Sequence, residues 1–578
     1  MKLSLLHELQ ASRDMIDAFG GYNHNLRIGN GEFYEMTNLS SDNYPVLSPR
    51  HQRGVYEVPE NPQGLVDKGS LCYVDDGDFV MNEYHYPLHL STTREPKTLI
   101  SMGAYVIIMP DKKYINTADT TDYGSIEASV KTTSTVTFSL CKADGNGYEN
   151  VATGNKPPDN PSEMDLWIDT TEVPHQLKQY NEATTMWVAV ATTYIKIHAI
   201  GIGKPFSVND GVTISGITDE ALADLNASMV VWAKGDDYIV VTGILDKVTT
   251  QDTAITVERL MPEMDFIVES ENRLWGCRYG AQGDKIVNEI YACKLGDFKN
   301  WNCYMGISTD SYAATVGTDG QFTGAITHLG YPLFFKENYL HKVYGNYPAN
   351  YQIQTTACRG VQKGCGKSLA IVNEVLYYKS RSSVCAYDGS LPQEISSAFG
   401  EESYFDAVAG SLRNKYYISM SDANDKWHLF VYDTAKGMWH REDDTQATCF
   451  CNCRGDLYYI DYATKQIKTV RGTGVLETAP IEWEAVTGII GTDSPDKKYI
   501  SRMDVRMLLE IGTVVSFFAE YDSSGAWEHL FTMTGKDLRS FAVPIRTRRS
   551  DHMRLKIKGV GDAKIFSISK TIEQGSDV

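Results

Sequence analysis

The chain has 578 residues, a net charge of −20 and 42% hydrophobic residues. No apolar run approaches the roughly 20 residues that span a bilayer, and Met1–Leu6 meets His7 and Glu8 too soon for a secretory leader, so a soluble, cytoplasmically made protein is expected. The acidic balance argues against a protein that grips nucleic-acid phosphates over a broad face, and eleven scattered cysteines without framework spacing predict free, buried thiols.

Leu5, Leu9 and Ile16 share one helical face, so residues 1–20 predict a short helix. The rest of 1–60 reads as an extended N-terminal segment that wraps a surface, with Gly20-Gly21 and Asn30-Gly31 turns and Pro45 and Pro49 fixing extended backbone. Residues 61–127 predict the first blades of a β-propeller, with four or five strands between Leu65 and Ser125. The clearest of them is Gly103–Pro110.

From Ala128 the character changes. Thr/Val alternation and a Gly/Asn/Pro-rich loop, Asp144–Pro161, predict a small β domain over 128–267 inserted in the propeller, with a helical turn at Asp219–Leu225.

Residues 268–475 repeat one phrase, a turn residue followed by an apolar residue and paired aromatics. It stands at Asn272–Trp275, Gly330–Phe335, Glu374–Tyr378 and Gly455–Tyr459, with a variant at Arg413–Ile418. Starts lie roughly 40 to 58 residues apart, near the period of a propeller blade. A β-sandwich with chance aromatic pairs is the alternative. Residues 476–578 alternate as strands and predict a C-terminal β-sandwich-like domain, with a basic stretch at Arg546, Arg548, Arg549, Arg554, Lys556, Lys558 and Lys564 that reads equally as a blunted edge or a partner site. The expected class is therefore all-β.

No motif here carries chemistry past its simpler explanation. Gly360–Ser368 approximates a phosphate-cradling loop, but Val361 stands where its first glycine belongs and strands, not a helix, follow. Cys449, Cys451 and Cys453 share one strand face, with His440 as the nearest fourth ligand, and read as small buried hydrophobes rather than a zinc site. The acidic runs Asp75–Asp78, Asp236-Asp237 and Glu442–Asp444 read as surface turns. The expectation is thus no enzyme and no catalytic, cofactor-binding or metal-ligating residue.

Several phrases, in order, resemble the tail nozzle or hub proteins of short-tailed bacteriophages, also called packaged-DNA stabilisation proteins. They are Phe19-Gly20-Gly21 through Glu32, Met36 and Asn38 to Tyr44–Arg50, then Ala325–Glu337 with Val343–Gly345. Gly360-Val361, Lys367-Ser368, Tyr387–Pro392, Phe430–Asp433, Met438–His440 and the strands from Asp504 to Val578 complete the set. The resemblance covers 128–267 poorly. It implies a virion structural protein, assembled in the host cytoplasm as a homo-oligomeric ring, usually a hexamer. Such a ring sits below the portal and head-tail adaptor, carries tail fibres or spikes, retains the packaged genome and lets double-stranded DNA pass at ejection. It brings no active site and no cofactor. The rival expectation is a tail-tip receptor-binding or glycan-cleaving propeller.

Overall fold

The turns that open the aromatic phrase dictate much of the architecture. Leu329 and Gly330, Asn373 and Glu374, and Arg454 and Gly455 all have positive φ, as do Glu271 and Asn272. Two consecutive left-handed residues match the right-handed twist of flanking strands, so each pair closes a tight hairpin. The strand that follows lies second in its sheet and is covered on both faces by neighbouring sheets. Leu333 to Phe335, Leu376 to Tyr378 and Leu457 to Ile460 are accordingly all buried.

In the computed structural model, which describes residues 11–93, 96–283, 285–491, 497–535, 538–545 and 548–574, seven such blades close a ring among the described residues. Their innermost strands are Pro62–Asp67, Thr98–Met102, Phe266–Ser270, Phe322–His328, Ala370–Val372, Tyr404–Leu412 and Ala447–Cys453, packed one beside the next and the last beside the first, with Phe322–His328 meeting the fifth blade through the Gly366–Ser368 turn. Blade 7 takes its outer strand from the other end of the chain. Gly54–Glu57 pairs antiparallel with Ile467–Thr469 and leads straight into blade 1. The fold is thus an all-β propeller closed by its own N-terminal strand.

The span from Pro62 to Ser125 holds eight strands in two blades, more than the four or five expected. The outer strands Tyr84–Tyr86 and Tyr123–Ser125 are short and largely exposed, so they lack the apolar alternation that marks a strand in sequence.

Between blades 2 and 3, residues 128–259 form a β domain with its own core. One sheet runs Ala128–Lys131, Thr256–Arg259, Gly211–Ser215, Ser228–Val230, and a second holds Val136–Cys141 and Tyr194–His198 at its centre. Phe138, Ile197, Phe206, Val241 and Val257 fill the space between them. Ala128 and Arg259 are register partners, so the chain leaves and rejoins the propeller at one point. Glu220–Leu225 is a 3-10 helix whose N-cap, Asp219, accepts from Ala221 N at 2.9 Å.

The C-terminal sandwich is built from both ends of the chain. One sheet orders Ala11–Ile16, Ala563–Gln574, Lys498–Leu509, Arg539–Val543. The other is continuous with blade 6: after Met438–Arg441 come Gly21–Tyr22, Glu32–Thr37, Glu482–Thr487, Met553–Val560, Val514–Tyr521 and Trp527–Thr534. One apolar core runs without interruption from Phe335, Tyr378 and Phe430 of the propeller to Trp483, Phe517 and Ile557 of the sandwich.

The helix expected over 1–20 is corrected. Ala11–Ile16 is a strand paired with Ala563–Gln574, while Leu5 and Leu9 fall outside the described residues. Six backbone partners from the far end of the chain outweigh a weak helical stripe.

Candidate functional site

Residues 38–53 run over the outside of the ring at the junction of blades 6 and 7. They are pinned there by Asn38 N donating to Glu442 O and by Arg50 Nε donating to Asn38 Oδ1 at 2.7 Å. The chain must then slip under the 472–473 turn. A Cβ on Gly54 would stand 2.1 Å from Thr473 O, so only glycine passes.

This course drives Arg53 between the two blades, where it is 2% exposed. Its Nη2 donates to Glu442 Oε2 at 2.8 Å, its Nε donates to Asp443 Oδ2 at 3.1 Å, and its guanidinium lies over the Tyr459 ring at 5.4 Å. Arg50 adds a second cation, with Nη2 3.4 Å from Asp443 Oδ2. Burial pushes the Glu442 carboxyl above its ordinary value, and the two arginines offset this only in part. Burial also works to raise Asp443, but there Arg53 and Arg50 prevail and hold it below the usual carboxylate range. At this junction Arg53 Nη1 and the hydroxyl of Tyr459, a residue 1% exposed, are buried without a hydrogen-bond partner, as are several other polar atoms among the described residues.

Both residues line an open cleft of about 530 Å³ between blades 6 and 7. Its walls carry the half-buried Trp427, the exposed Asp444, and Gln446, Asp461 and Thr464. Trp427 opens a strand of blade 6, Asp444 and Gln446 lie in the link between the blades, and Asp461 and Thr464 belong to a hairpin end of blade 7. Lys468 Nζ holds Asp461 Oδ2 at 3.1 Å. Of the acidic runs noted in the sequence, Glu442–Asp444 therefore belongs to this cleft. The other two cap turns: Asp75 Oδ1 accepts from Asn61 N at 2.7 Å, and Asp237 Oδ1 accepts from Gly201 N at 2.7 Å.

The glycine-rich loop lies near the inner edge of blade 5. Its glycines serve close backbone crossings, since a Cβ on Gly360 would stand 1.8 Å from Lys336 O and one on Gly366 2.7 Å from the Phe266 ring. Lys367 Nζ donates to Thr448 O at 3.2 Å, and burial pushes its amine below the ordinary value. Cys449, Cys451 and Cys453 face the core of blade 1, with Cys453 Sγ donating to Asp67 Oδ1 at 3.2 Å; burial pushes that thiol up to about 12. His440 is elsewhere, beside Gly21, and burial and then Lys415 push its imidazole down to about 3. In the basic stretch, Arg554 lies over Tyr34, Lys556 over Trp527, and Lys558 pairs with Glu484 at 2.8 Å, while Arg546 falls outside the described residues. Arg53 and Trp427 carried no signal of their own in the sequence. The acids at 442–444 were expected to form a surface turn; that is corrected, since Glu442 is buried and pairs with Arg53.

No protein-family model and no curated protein matches the chain. Among solved structures, the chain is similar to the exo-beta-1,3-galactanase Pc1,3Gal43A of Phanerochaete chrysosporium with galactose, at 7% identity over 53% of this chain and 94% of that one, TM-score 0.22. An engineered GH43 glycoside hydrolase with endo-xylanase and exo-arabinofuranosidase activity follows at 8% identity, 54% and 97% coverage and TM-score 0.21. Trypanosoma rangeli sialidase in complex with sialic acid shows 10% identity, 98% and 97% coverage and TM-score 0.20. These structures are enzymes, and the expectation that the chain is not an enzyme is withdrawn on that finding.

Proposed function

We propose that the chain is a tail protein of a short-tailed bacteriophage, a nozzle or hub subunit that forms a ring below the portal and adaptor. In this role it retains packaged DNA and lets it pass at ejection. The observation that carries the reading is where the resembling phrases fall. Phe19–Gly21, Glu32 to Asn38 and Tyr44–Arg50 build the strands and turns that join propeller to sandwich. Met438–His440 is the blade strand they join. Ring formation, most simply a hexamer, is tested by mass photometry of the purified protein and of isolated tails. A ring in tails supports the hub; a strict monomer within intact tails overturns it.

A second reading is favoured by the cleft between blades 6 and 7: a tail-tip propeller that recognises or cleaves a surface glycan. Its test is release of reducing ends from purified bacterial surface polysaccharide.

A further inference from the structure

We infer that the strand Met186–Ala189 of the inserted domain is an interface between two copies of this chain, which pair edge to edge and antiparallel about a two-fold axis at Val188. Such a contact is isologous and cannot close a ring of six, so the inference goes beyond both readings above. It joins two chains, or two rings, whichever the unit is.

Three observations carry it. The first is free backbone. Val151–Gly154, Leu166–Asp169, Gln176–Asn181 and Met186–Ala189 form a small sheet in that order, so Met186–Ala189 is its edge. Val188 is the register partner of Gln179, and the bond from Val190 N to Leu177 O at 2.8 Å continues that register. Bonded and non-bonded pairs alternate in an antiparallel ladder. Met186, Val188 and Val190 therefore turn their N–H and C=O groups toward Gln176–Asn181, and Trp187 and Ala189 turn theirs outward. No strand pairs with that side among the described residues.

The second observation is that the edge is undefended. Natural sheets blunt an edge with charge, proline or a bulge. Residues 183–195 hold no charged residue, proline or glycine, and the pairing of Met186–Ala189 is regular. Met186 is 62% and Val188 54% exposed, and Ala189 is exposed beside them. Gln352–Ala357, another uncharged edge, turns mainly Gln and Thr to solvent instead.

The third is that the edge complements itself. With the axis at Val188, Trp187 stands opposite Ala189 of the second copy, and the two exchange both N–H···O bonds. The indole is already held by Tyr180 at 5.3 Å and Trp167 at 5.6 Å, so its outer side is presented to a methyl group. On the other face Met186, Val188 and Val190 line up as an apolar row, with Val188 against Val188. Charge selects the same place, since two chains of −20 repel and an uncharged edge lets them approach at least cost. A foreign strand would meet the same backbone groups, but this match of large to small side chains is one the chain makes with itself.

The test is sedimentation velocity of the full chain from low to high micromolar concentration. The wild type should associate reversibly to twice the mass of its unit. Val188→Lys and Val188→Glu each set like charges opposite one another at an exposed position, and each should weaken association at least about tenfold. An equal mixture of the two variants should restore it. Amide hydrogen exchange should find Trp187 and Ala189 protected in the concentrated wild type and unprotected in Val188→Lys. A wild type of one mass at every concentration overturns the inference and leaves the edge to a strand of another protein. Association that survives both variants, or a mixture that does not re-associate, overturns it as well. Circular dichroism checks that both variants are folded.

Discussion

Gly559→Ala tests the packing of the C-terminal sandwich at one point. Gly559 and Trp483 are register partners on adjacent strands, and the indole lies flat over the glycine. A Cβ there would stand 2.0 Å from both Cε2 and Cζ2 of the ring. Ordinary contact begins near 3.4 Å, so the ring must retreat by about 1.4 Å, the difference between those two distances. That movement breaks the bond from Trp483 Nε1 to Gly561 O, now 2.9 Å. Overpacking costs about 1–3 kcal/mol and the lost bond about 1, so the substitution should destabilise by about 2–4 kcal/mol. The assay is urea denaturation of the wild type, Gly559→Ala, Trp483→Leu and the double variant. Because the two single changes act on the same contact, the double variant should be more stable than additivity predicts, by at least about 1 kcal/mol. A cost below about 0.5 kcal/mol for Gly559→Ala, or an additive cycle, refutes the reasoning.

Arg53→Met should cost about 3–5 kcal/mol at pH 7, since it leaves Glu442 and Asp443 buried without their main cation. Losing Arg53 raises Glu442 further and weakens the depression of Asp443, so the variant folds more easily once those groups are protonated. The gap to wild type in urea midpoint should therefore shrink from pH 7 toward pH 4; a gap constant across that range contradicts it. Joining Ala128 to Arg259 by a short Gly/Ser turn should leave a propeller with a cooperative melt, because those residues already face each other and the excised domain has its own core. Some stability is lost, as Asn300 no longer reaches Asp210 and Gly211; a chain with no cooperative transition shows that the propeller depends on the insert.

The repeat was legible because its cause is local. A left-handed hairpin turn and a second strand buried on both faces impose the same residues in every blade, as Gly330–Phe335 and Gly455–Tyr459 show. Outer strands such as Tyr84–Tyr86 escaped notice because solvent on one side relaxes the pattern. Residues 11–57 were read as an extended, wrapping segment, but the strands they pair with could not be read. Ala11–Ile16 and Gly54–Glu57 find partners more than 400 residues away, and nothing in a short window encodes such a partner. The cleft was not legible: the acids at 442–444 read as a surface turn, and Arg53, their partner, acquires its meaning only from the path of the chain over Gly54.

The use of N-terminal strands in blade 7 and in both sheets of the sandwich sets an order of events during synthesis. Ala11–Ile16 is made more than 500 residues before its partner Ala563–Gln574. At about 5–20 residues per second, 578 residues take roughly half a minute to two minutes. Until Ile467–Thr469 is made Gly54–Glu57 has no partner, and until Glu482–Thr487 is made the sheet continued from blade 6 stops at Glu32–Thr37, while the 128–259 domain can already close on itself. That pairing therefore waits for the far strand, and it brings Ala11 and Glu573 side by side. A circular permutant that links them and opens instead at the Gly145–Gly147 turn would replace the longest-range pairing with a local hairpin, and it should reach the native state sooner than the natural order of the chain.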